Sequence, residues 1–323
     1  MCSSTAVALR ESARLDDVTT PIPFVPPLDD VRYGAVEQMT PWIRRVIADN
    51  PTKYSYRGTG TYVVGHGDVV VIDPGPNLDT HRDALTTALD GEHVRAILVT
   101  HCHADHSPLA AWLREVTGAP TIAFGPHGAV DFDDEESDVP VEESIDLGFA
   151  PDVVAIDGEV VAEIGGATMR AVHTPGHTSN HLCFSLDAEH ALFSGDHVMG
   201  WSTTVVSPPD GDMRAYIDSL AKVGGRRDAV LWPTHGNPIT DPEPFLDAYL
   251  GHRLDRERQV LAEVRAGSLT IPAMVEVLYA DVRTELHKAA GRSVFSHLVK
   301  LVGDGLIAAD GGAPTLKSQF HAV

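Results

Sequence analysis

The chain has 323 residues, of which 43% are hydrophobic and 22% charged, as is ordinary for a soluble globular protein. Its formal net charge is −22, and residues 252–323 are close to neutral, with nine Lys and Arg against eight Asp and Glu. The strongly acidic remainder repels polyphosphate, which disfavours nucleic acid as a partner but leaves room for a local basic patch.

The N-terminal residues predict no membrane or export signal. Residues 1–30 are rich in Pro and Asp and are predicted to be irregular. They contain no apolar stretch typical of a signal peptide, and no run in the chain approaches the roughly 20 apolar residues that cross a bilayer. The three cysteines, Cys2, Cys102 and Cys183, are too scattered for a disulfide framework. We therefore expect a cytoplasmic protein without membrane contact, in which nitrogen and oxygen atoms hold any metal.

Between 31 and 250, short apolar runs alternate with amphipathic ones. The runs 61–65 and 68–73 flank a His-Gly turn and predict a β-hairpin. Reactive residues follow the strands directly, which indicates an α/β sandwich with a site at one edge of its sheets. Helices are predicted at 80–90, at 108–117 and from Asp212 to 224–225, and further strands at 94–100, 120–124, 152–157, 168–173, 181–186, 190–194 and 229–232.

From about residue 244 the pattern becomes helical. A long helix ends at Gly267, and two helices and a β ribbon with a Gly-rich turn follow, which is the outline of a winged helix. The sequence thus predicts three parts: an irregular segment at 1–30, a catalytic domain at 31–250 and a winged-helix-like α+β domain at 251–323. The last part could act as a lid, as a dimerisation element in a homodimer, or as a nucleic-acid binder.

The motif THCHADH places four ligand-type side chains directly after a hydrophobic strand. His101 and His103 alternate in an extended segment, so both can meet one ion. Asp105 and His106 lie where the chain turns toward a helix, and can serve a second ion nearby. Imidazole and carboxylate ligands without thiolate suit zinc, with manganese and iron as alternatives.

Three later motifs add further candidate ligands, each after an apolar strand and beside Gly or Pro. HTPGHTSNH offers His173, His177 and His181, SGDH offers Asp196 and PTHG offers His235. Glycine and proline allow the sharp turns that present such side chains.

These motifs resemble those of the metallo-β-lactamase superfamily over residues 55–250, including all five motifs of that family. The resemblance implies an αββα sandwich in which His101, His103 and His177 bind one ion and Asp105, His106 and His235 a second. It also implies that Asp196 bridges the two. Asp73 in VIDPG matches the family's first motif, where the aspartate supports the ligand loop. Further candidates for the surroundings of the metals or the pocket are His173, His181, His197, Trp201, Ser202 and Thr203.

The resemblance implies a hydrolase with two zinc ions in which a metal-bridged hydroxide attacks the substrate. Asp196 would hold this hydroxide, and Asp105 would orient it and move its proton. ELHKAA at 285–290 and the segment 296–307 resemble the winged helix of β-lactamase-like-protein-2-type enzymes. That branch includes an endoribonuclease and fungal polyketide thioesterases.

The substrate is expected to be a small ester or thioester. The alternatives are RNA or another phosphodiester, and then a lactone or β-lactam. Outside the hydrolases, the alternatives are a di-iron redox protein and a winged-helix nucleic-acid-binding protein. His103 stands where the di-iron branch has Glu, and the helix VFSHLVKLV carries one Lys and one His, so both are disfavoured.

Overall fold

The computed structural model describes residues 21–128, 145–284 and 287–323. The first twenty residues of the predicted irregular segment and the beginning of ELHKAA lie outside these ranges. Residues 21–30 contain no helix or strand. No helix among the described residues is both long and apolar enough to cross a membrane.

The described chain folds into strands and α-helices, with a short 3-10 helix at Asp187–Glu189, in an order close to the predicted one. The strands are β1 (Val36–Gln38), β2 (Ile43–Ile47), β3 (Gly60–His66), β4 (Asp68–Ile72), β5 (His93–Leu98), β6 (Thr121–Ala123), β7 (Val153–Val154), β8 (Val160–Ile164), β9 (Ala167–His173), β10 (Leu182–Leu186), β11 (Ala191–Gly195), β12 (Val230–Pro233), β13 (Ile307–Ala309) and β14 (Phe320–Ala322). The α-helices are α1 (Asp79–Ala88), α2 (Leu109–Thr117), α3 (Met213–Arg226), α4 (Pro242–Ala266), α5 (Ile271–Leu278) and α6 (His287–Gly303).

Strands β1 to β12 form two sheets that pack face to face. The first has the order β1-β2-β3-β4-β5-β6-β7 and the second the order β12-β11-β10-β9-β8. Alternation of side chains divides each strand between two faces. Val64, Val70 and Ile72 point into the core between the sheets, where they join Phe184 and Phe193 of the second sheet.

Helices cover the outer face of each sheet. Val63, Val69 and Val71 of the first sheet pack with Ala110 and Leu113 of α2. On the second sheet, the outward residues pack against α3 and the first half of α4. Because both faces of each sheet are buried, β3 and β4 read as nearly continuous apolar runs. The result is the predicted αββα sandwich, which confirms the fold class.

The C-terminal part has a core of its own. Val260 and Val264 from the second half of α4 pack with residues of α5, α6, β13 and β14. The helices and the two-stranded ribbon form the predicted winged helix, and Thr270 caps α5 by accepting a hydrogen bond from the Ala273 N–H. Helix α4 contributes residues both to this core and to that of the sandwich, and so joins the two parts.

Strands β1, β2 and β8 were not predicted from the sequence, and β7 is shorter than the strand predicted at 152–157. Strand β2 contains Arg44 and Arg45, which break the apolar pattern although both are buried. Arg44 forms an ion pair with Glu92 at 2.8 Å, and Arg45 one with Glu37 at 2.8 Å. These ion pairs make the burial of the two arginines tolerable.

Candidate metal centre

The candidate ligands lie at the C-terminal ends of strands that share one direction. β4 and β5 are parallel, as are β11 and β12, and β9 has the direction of β11 because both are antiparallel to β10. Their C-terminal ends therefore meet at one edge of the sandwich. The segments that follow these strands contain Asp73, THCHADH, His177, Asp196 and His235.

Three imidazoles form the first group. One nitrogen of each of His101, His103 and His177 lies within 4.8 Å of the others. The His101 Nε2 and His103 Nδ1 atoms are 2.7 Å apart, and the His177 Nε2 is 3.2 Å from the same His103 Nδ1. The Val205 carbonyl accepts a hydrogen bond from the His177 Nδ1–H at 2.7 Å, which directs Nε2 into the group.

The second group combines imidazole and carboxylate. Ligand atoms of Asp105, His106 and His235 also lie within 4.8 Å of one another. The His235 Nε2 is 3.2 Å from the Asp105 Oδ2, and the His106 Nε2 is 3.6 Å from the Asp105 Oδ1. The Gly58 carbonyl, 3.2 Å from the His235 Nδ1, orients that ring, and Thr59 donates a hydrogen bond to Asp105 at 3.0 Å.

Asp196 lies between the two groups. Its Oδ2 is 3.6 Å from the His106 Nε2 and 4.0 Å from the His177 Nε2, and its Oδ1 is 3.4 Å from the His235 Nε2. The Oδ1 atom and the His106 Nε2 are buried and make no hydrogen bond within the described part of the chain. Buried polar atoms of this kind call for a partner, and a cation among them would provide it.

Asp73 ties the ends of three strands together beneath this cluster. Its Oδ1 accepts a hydrogen bond from the Thr100 N–H, and its Oδ2 accepts one from each of the Thr100 hydroxyl, the Thr234 hydroxyl and the His106 Nδ1–H, all at 2.8–2.9 Å. Its backbone has a φ of 49°. A residue with these contacts does more than make a turn, since it fixes the His106 ring with Nε2 toward the cluster.

His181 and His197 also lie near the cluster, whereas His173 lies apart from it. The His181 Nε2 accepts a hydrogen bond from the Asp196 N–H at 3.2 Å. The His197 ring is fully buried and lies beside Tyr216, with 5.0 Å between ring centroids. The His173 ring stacks on Phe124, and its Nε2 contacts the Ser179 carbonyl.

The segment after Asp196 carries the predicted pocket residues. Trp201 stacks on Tyr56, with ring centroids 4.6 Å apart. The Ser202 hydroxyl bonds locally to the Thr203 carbonyl. All three of the predicted residues, Trp201, Ser202 and Thr203, are half-buried. Their part in forming a pocket stays a prediction.

The electrostatics differ between the two groups. Burial, together with the neighbouring His106 and His103, holds the pKa of His101 well below its ordinary value, so this imidazole is neutral and can bind a metal. At His235, burial acts to lower the pKa, but the Asp196 and Asp105 carboxylates outweigh it and raise the pKa to about 10. The carboxylates thus create a negative potential that attracts cations, and a metal would compete there with protons.

Sequence reading missed several residues that support the site. Thr100 and Thr234 directly precede His101 and His235, and that shared position was the available signal. Nothing in the local sequence pointed to Thr59, which bonds to Asp105, or to Thr204, whose hydroxyl donates to the Asp196 carbonyl at 2.8 Å.

Two family models match the chain. The model described as metallo-beta-lactamase superfamily matches residues 57–235, and that described as beta-lactamase associated winged helix domain matches residues 270–313. The chain is 32% identical over 306 residues to "Lactamase-like protein adaB" of Aspergillus niger, covering 90% of this chain and 89% of that protein. It is 34% identical over 296 residues to "Atrochrysone carboxyl ACP thioesterase" of Aspergillus chevalieri, covering 88% and 87%.

Solved structures show the same fold. A beta-lactamase domain protein from Burkholderia ambifaria superposes with a TM-score of 0.74 at 20% identity, covering 94% of this chain and 96% of that one. A metallo-beta-lactamase family protein from Thermus thermophilus gives 0.68 at 22% identity, covering 88% and 100%.

Proposed function

Because this chain belongs to the metallo-beta-lactamase superfamily and has that fold, we propose that it is a dinuclear zinc-dependent hydrolase of thioesters. The observation that carries the metal-dependent part is the convergence of seven candidate nitrogen and oxygen ligands, in which buried atoms of His106 and Asp196 make no hydrogen bond to any described residue. The donor set contains no thiolate and fits zinc, with manganese or iron as alternatives.

His101, His103 and His177 would hold one ion, and Asp105, His106 and His235 the other. Asp196, whose Oδ2 lies 4.0 Å from the His177 Nε2 of the first group and whose Oδ1 lies 3.4 Å from the His235 Nε2 of the second, would bridge them. When bound, such a pair of ions lowers the pKa of water and polarises the carbonyl of the substrate.

The protein's own groups then orient and move protons. Asp105 has the most exposed side chain of the set, at 27%, and the Thr59 hydroxyl fixes its Oδ2. It is therefore placed to orient the attacking water and to accept its proton. Water adds to the thioester carbonyl, the carbon–sulfur bond breaks, and the products are a carboxylic acid and a thiol that takes the remaining proton.

The thioester assignment rests on relatives. The Aspergillus chevalieri protein is named an acyl-carrier-protein thioesterase, and the match extends over the winged helix as well as the sandwich. The net charge of −22 supports an uncharged acyl substrate over RNA, whose phosphates need basic residues. We further propose that the catalytic domain comprises residues 31–250 and the winged-helix domain residues 251–323.

The experiment is a substrate panel with metal-depleted and zinc-reconstituted protein. Acyl thioesters, oxygen esters, lactones, β-lactams and single-stranded RNA are compared by kcat/KM. We expect thioesters to be hydrolysed fastest, with activity lost on chelation and restored by about two zinc ions per chain. Faster cleavage of RNA or of β-lactams would overturn the substrate class, and a coloured, iron-loaded protein without hydrolase activity would favour the di-iron alternative.

A matched pair of variants separates chemistry from stability. Asp105→Asn removes the proposed proton acceptor, and we expect kcat to fall by about 10²–10⁴-fold. Asp152→Asn is the control, because its side chain has a similar exposure of 30% and bonds to Arg114, on the surface near β6. Equal losses in both variants would contradict the role of Asp105.

A further inference from the structure

The loop between β11 and α3 touches two candidate ligands through Thr204 and Val205. The Thr204 hydroxyl shares its proton between the Asp196 carbonyl at 2.8 Å and the His197 carbonyl at 3.1 Å. The next residue, Val205, accepts the hydrogen bond of the His177 Nδ1–H. This dipeptide therefore sets both the backbone of Asp196 and the direction of the His177 ring.

Helix α4 holds this dipeptide in place. The Tyr249 hydroxyl accepts a hydrogen bond from the Thr204 N–H, and the Arg253 guanidinium donates one to the Thr204 carbonyl. Tyr249 and Arg253 are four residues apart and share one face of the helix. Both the N–H and the carbonyl of Thr204 are thus bound by a single helical turn.

Arg253 is itself tightly enclosed. Its residue exposure is 4%, and its guanidinium lies 5.1 Å from the ring centroid of Tyr216 and 5.6 Å from that of Tyr249. The Tyr216 hydroxyl in turn donates to the His197 carbonyl at 2.7 Å. A buried guanidinium is costly unless its hydrogen bonds and ring contacts offset the lost hydration, so its position is narrowly defined.

The same face of α4 continues into the winged helix. Glu257, one turn after Arg253, accepts a hydrogen bond from Lys300 of α6 at 2.9 Å. Another α6 residue, Arg292, donates to the Ser207 hydroxyl of the β11–α3 loop at 3.1 Å. The loop is therefore fixed from the helix that joins the two parts and from the winged helix itself.

We propose that Arg253 is a positioning residue for the metal centre, acting through Thr204 and Val205 on Asp196 and His177. The inference rests on the proposed metal-dependent function and extends it, since it makes the helix leading into the winged helix a determinant of metal affinity. Arg253 itself hydrogen-bonds to the Thr204 carbonyl and is not one of the candidate ligands.

The test measures metal binding directly. The metal-free protein is titrated with Co²⁺ in competition with a chelator, and the visible d–d spectrum of bound Co²⁺ reports the ligand geometry. Arg253→Met keeps the aliphatic bulk but removes the hydrogen bond to Thr204. We expect Co²⁺ affinity to fall by about 10–100-fold with an altered spectrum, and Arg253→Lys to restore part of the affinity.

Arg256→Met is the matched control. Arg256 lies on the same helix, donates a hydrogen bond to the Leu278 carbonyl at 3.3 Å and stacks over Tyr279 at 4.3 Å, which are contacts away from the loop. This variant loses a similar hydrogen bond and ring contact, so we expect reduced thermal stability with Co²⁺ affinity within about two-fold of the wild type. Equal weakening in both variants, or wild-type affinity and spectrum in Arg253→Met, would overturn the positioning role.

A second variant covers the case in which Arg253→Met does not fold. Tyr249→Phe removes only the hydroxyl that binds the Thr204 N–H, and we expect a weakening of several-fold in Co²⁺ affinity. An unchanged affinity would then overturn the proposal. If the wild type itself binds no Co²⁺, both the proposed metal-dependent function and the positioning role are refuted. If the wild type binds Co²⁺ and the Arg253 and Tyr249 variants bind it equally well, only the positioning role is refuted.

Discussion

Replacing Asp73 by Asn keeps the size of a buried side chain but removes its charge and converts one acceptor oxygen into a donor. The Oδ2 atom accepts three hydrogen bonds, from the hydroxyls of Thr100 and Thr234 and from the His106 Nδ1–H. An amide that keeps its oxygen toward these three groups turns its NH₂ toward the Thr100 N–H, so at least one donor loses its acceptor. Hydrogen bonds to a charged group contribute about 1.5–3 kcal/mol each to the free energy of unfolding. In Asp73→Asn the carboxylate charge is lost, so all the hydrogen bonds to this side chain weaken.

The consequence for metal binding follows from the His106 ring. An amide offers the Nδ1–H only an uncharged acceptor, or none if it is flipped, so the tautomer that presents the Nε2 lone pair to the cluster is enforced less strongly. We expect the weaker of the two zinc affinities to fall by about 100-fold, equivalent to about 2.7 kcal/mol. The assay is chelator competition on metal-free protein, with urea unfolding of the same samples to separate loss of metal from loss of fold.

Thr234→Val provides the control for Asp73→Asn. It removes one donor to Oδ2 and leaves the contact between Asp73 and His106 intact, so we expect it to cost about 1 kcal/mol of unfolding free energy and to leave zinc affinity within a few-fold. If Asp73→Asn retains both zinc affinities of the wild type, Asp73 does not set the orientation of His106 and the reasoning is wrong.

Three further changes test other parts of the account. Asp196→Ala should abolish hydrolysis with an unchanged far-ultraviolet spectrum, and full activity in this variant would exclude the bridging role. Gly176 has a φ of 135°, and a Cβ there would lie 2.4 Å from the Tyr216 Cα, so Gly176→Ala should lower the unfolding free energy by about 2 kcal/mol or more; a urea midpoint equal to that of the wild type would contradict this. Burial lowers the pKa of His81 to about 4 from 6.5, so between these pH values His81 is protonated in the unfolded chain but neutral in the folded one. The contribution of the neutral His81 to the unfolding free energy is therefore fully present above pH 6.5 and is lost as the pH falls toward 4. In urea unfolding of the metal-free protein, His81 should account for a loss of up to about 3 kcal/mol of unfolding free energy as the pH falls toward 4, so His81→Gln should lose less than the wild type. Equal losses in the two proteins would argue against this assignment.

The sequence predicted which candidate ligands lie together where the information is local. Four ligand-type residues of THCHADH follow one strand, and His235 and Asp196 follow others, so strand ends and short motifs were enough to bring these residues together. The run of Val69, Val70 and Val71 likewise predicted a strand, and both of its faces are buried. Features of this kind depend on neighbours within a few positions.

Features that depend on distant partners were not predicted. Strand β2 was hidden by Arg44 and Arg45, because their burial depends on Glu92 and on the carbonyls of Gly65 and Gly236, all far away in sequence. The support of the site by Arg253 has the same character, since it acts on Thr204, 49 positions away. Thr100 and Thr234 are an intermediate case. Their positions beside His101 and His235 could be seen in the sequence, but the hydrogen bonds of both hydroxyls to Asp73 could not.

The central claim is that seven side chains hold two metal ions, and anomalous diffraction from zinc-reconstituted crystals tests it most directly. The account predicts two peaks about 3.5–4 Å apart, one bound by the three imidazoles, the other by Asp105, His106 and His235, with Asp196 between them. A fully reconstituted protein with no zinc at these residues, or with the zinc bound elsewhere, would contradict it.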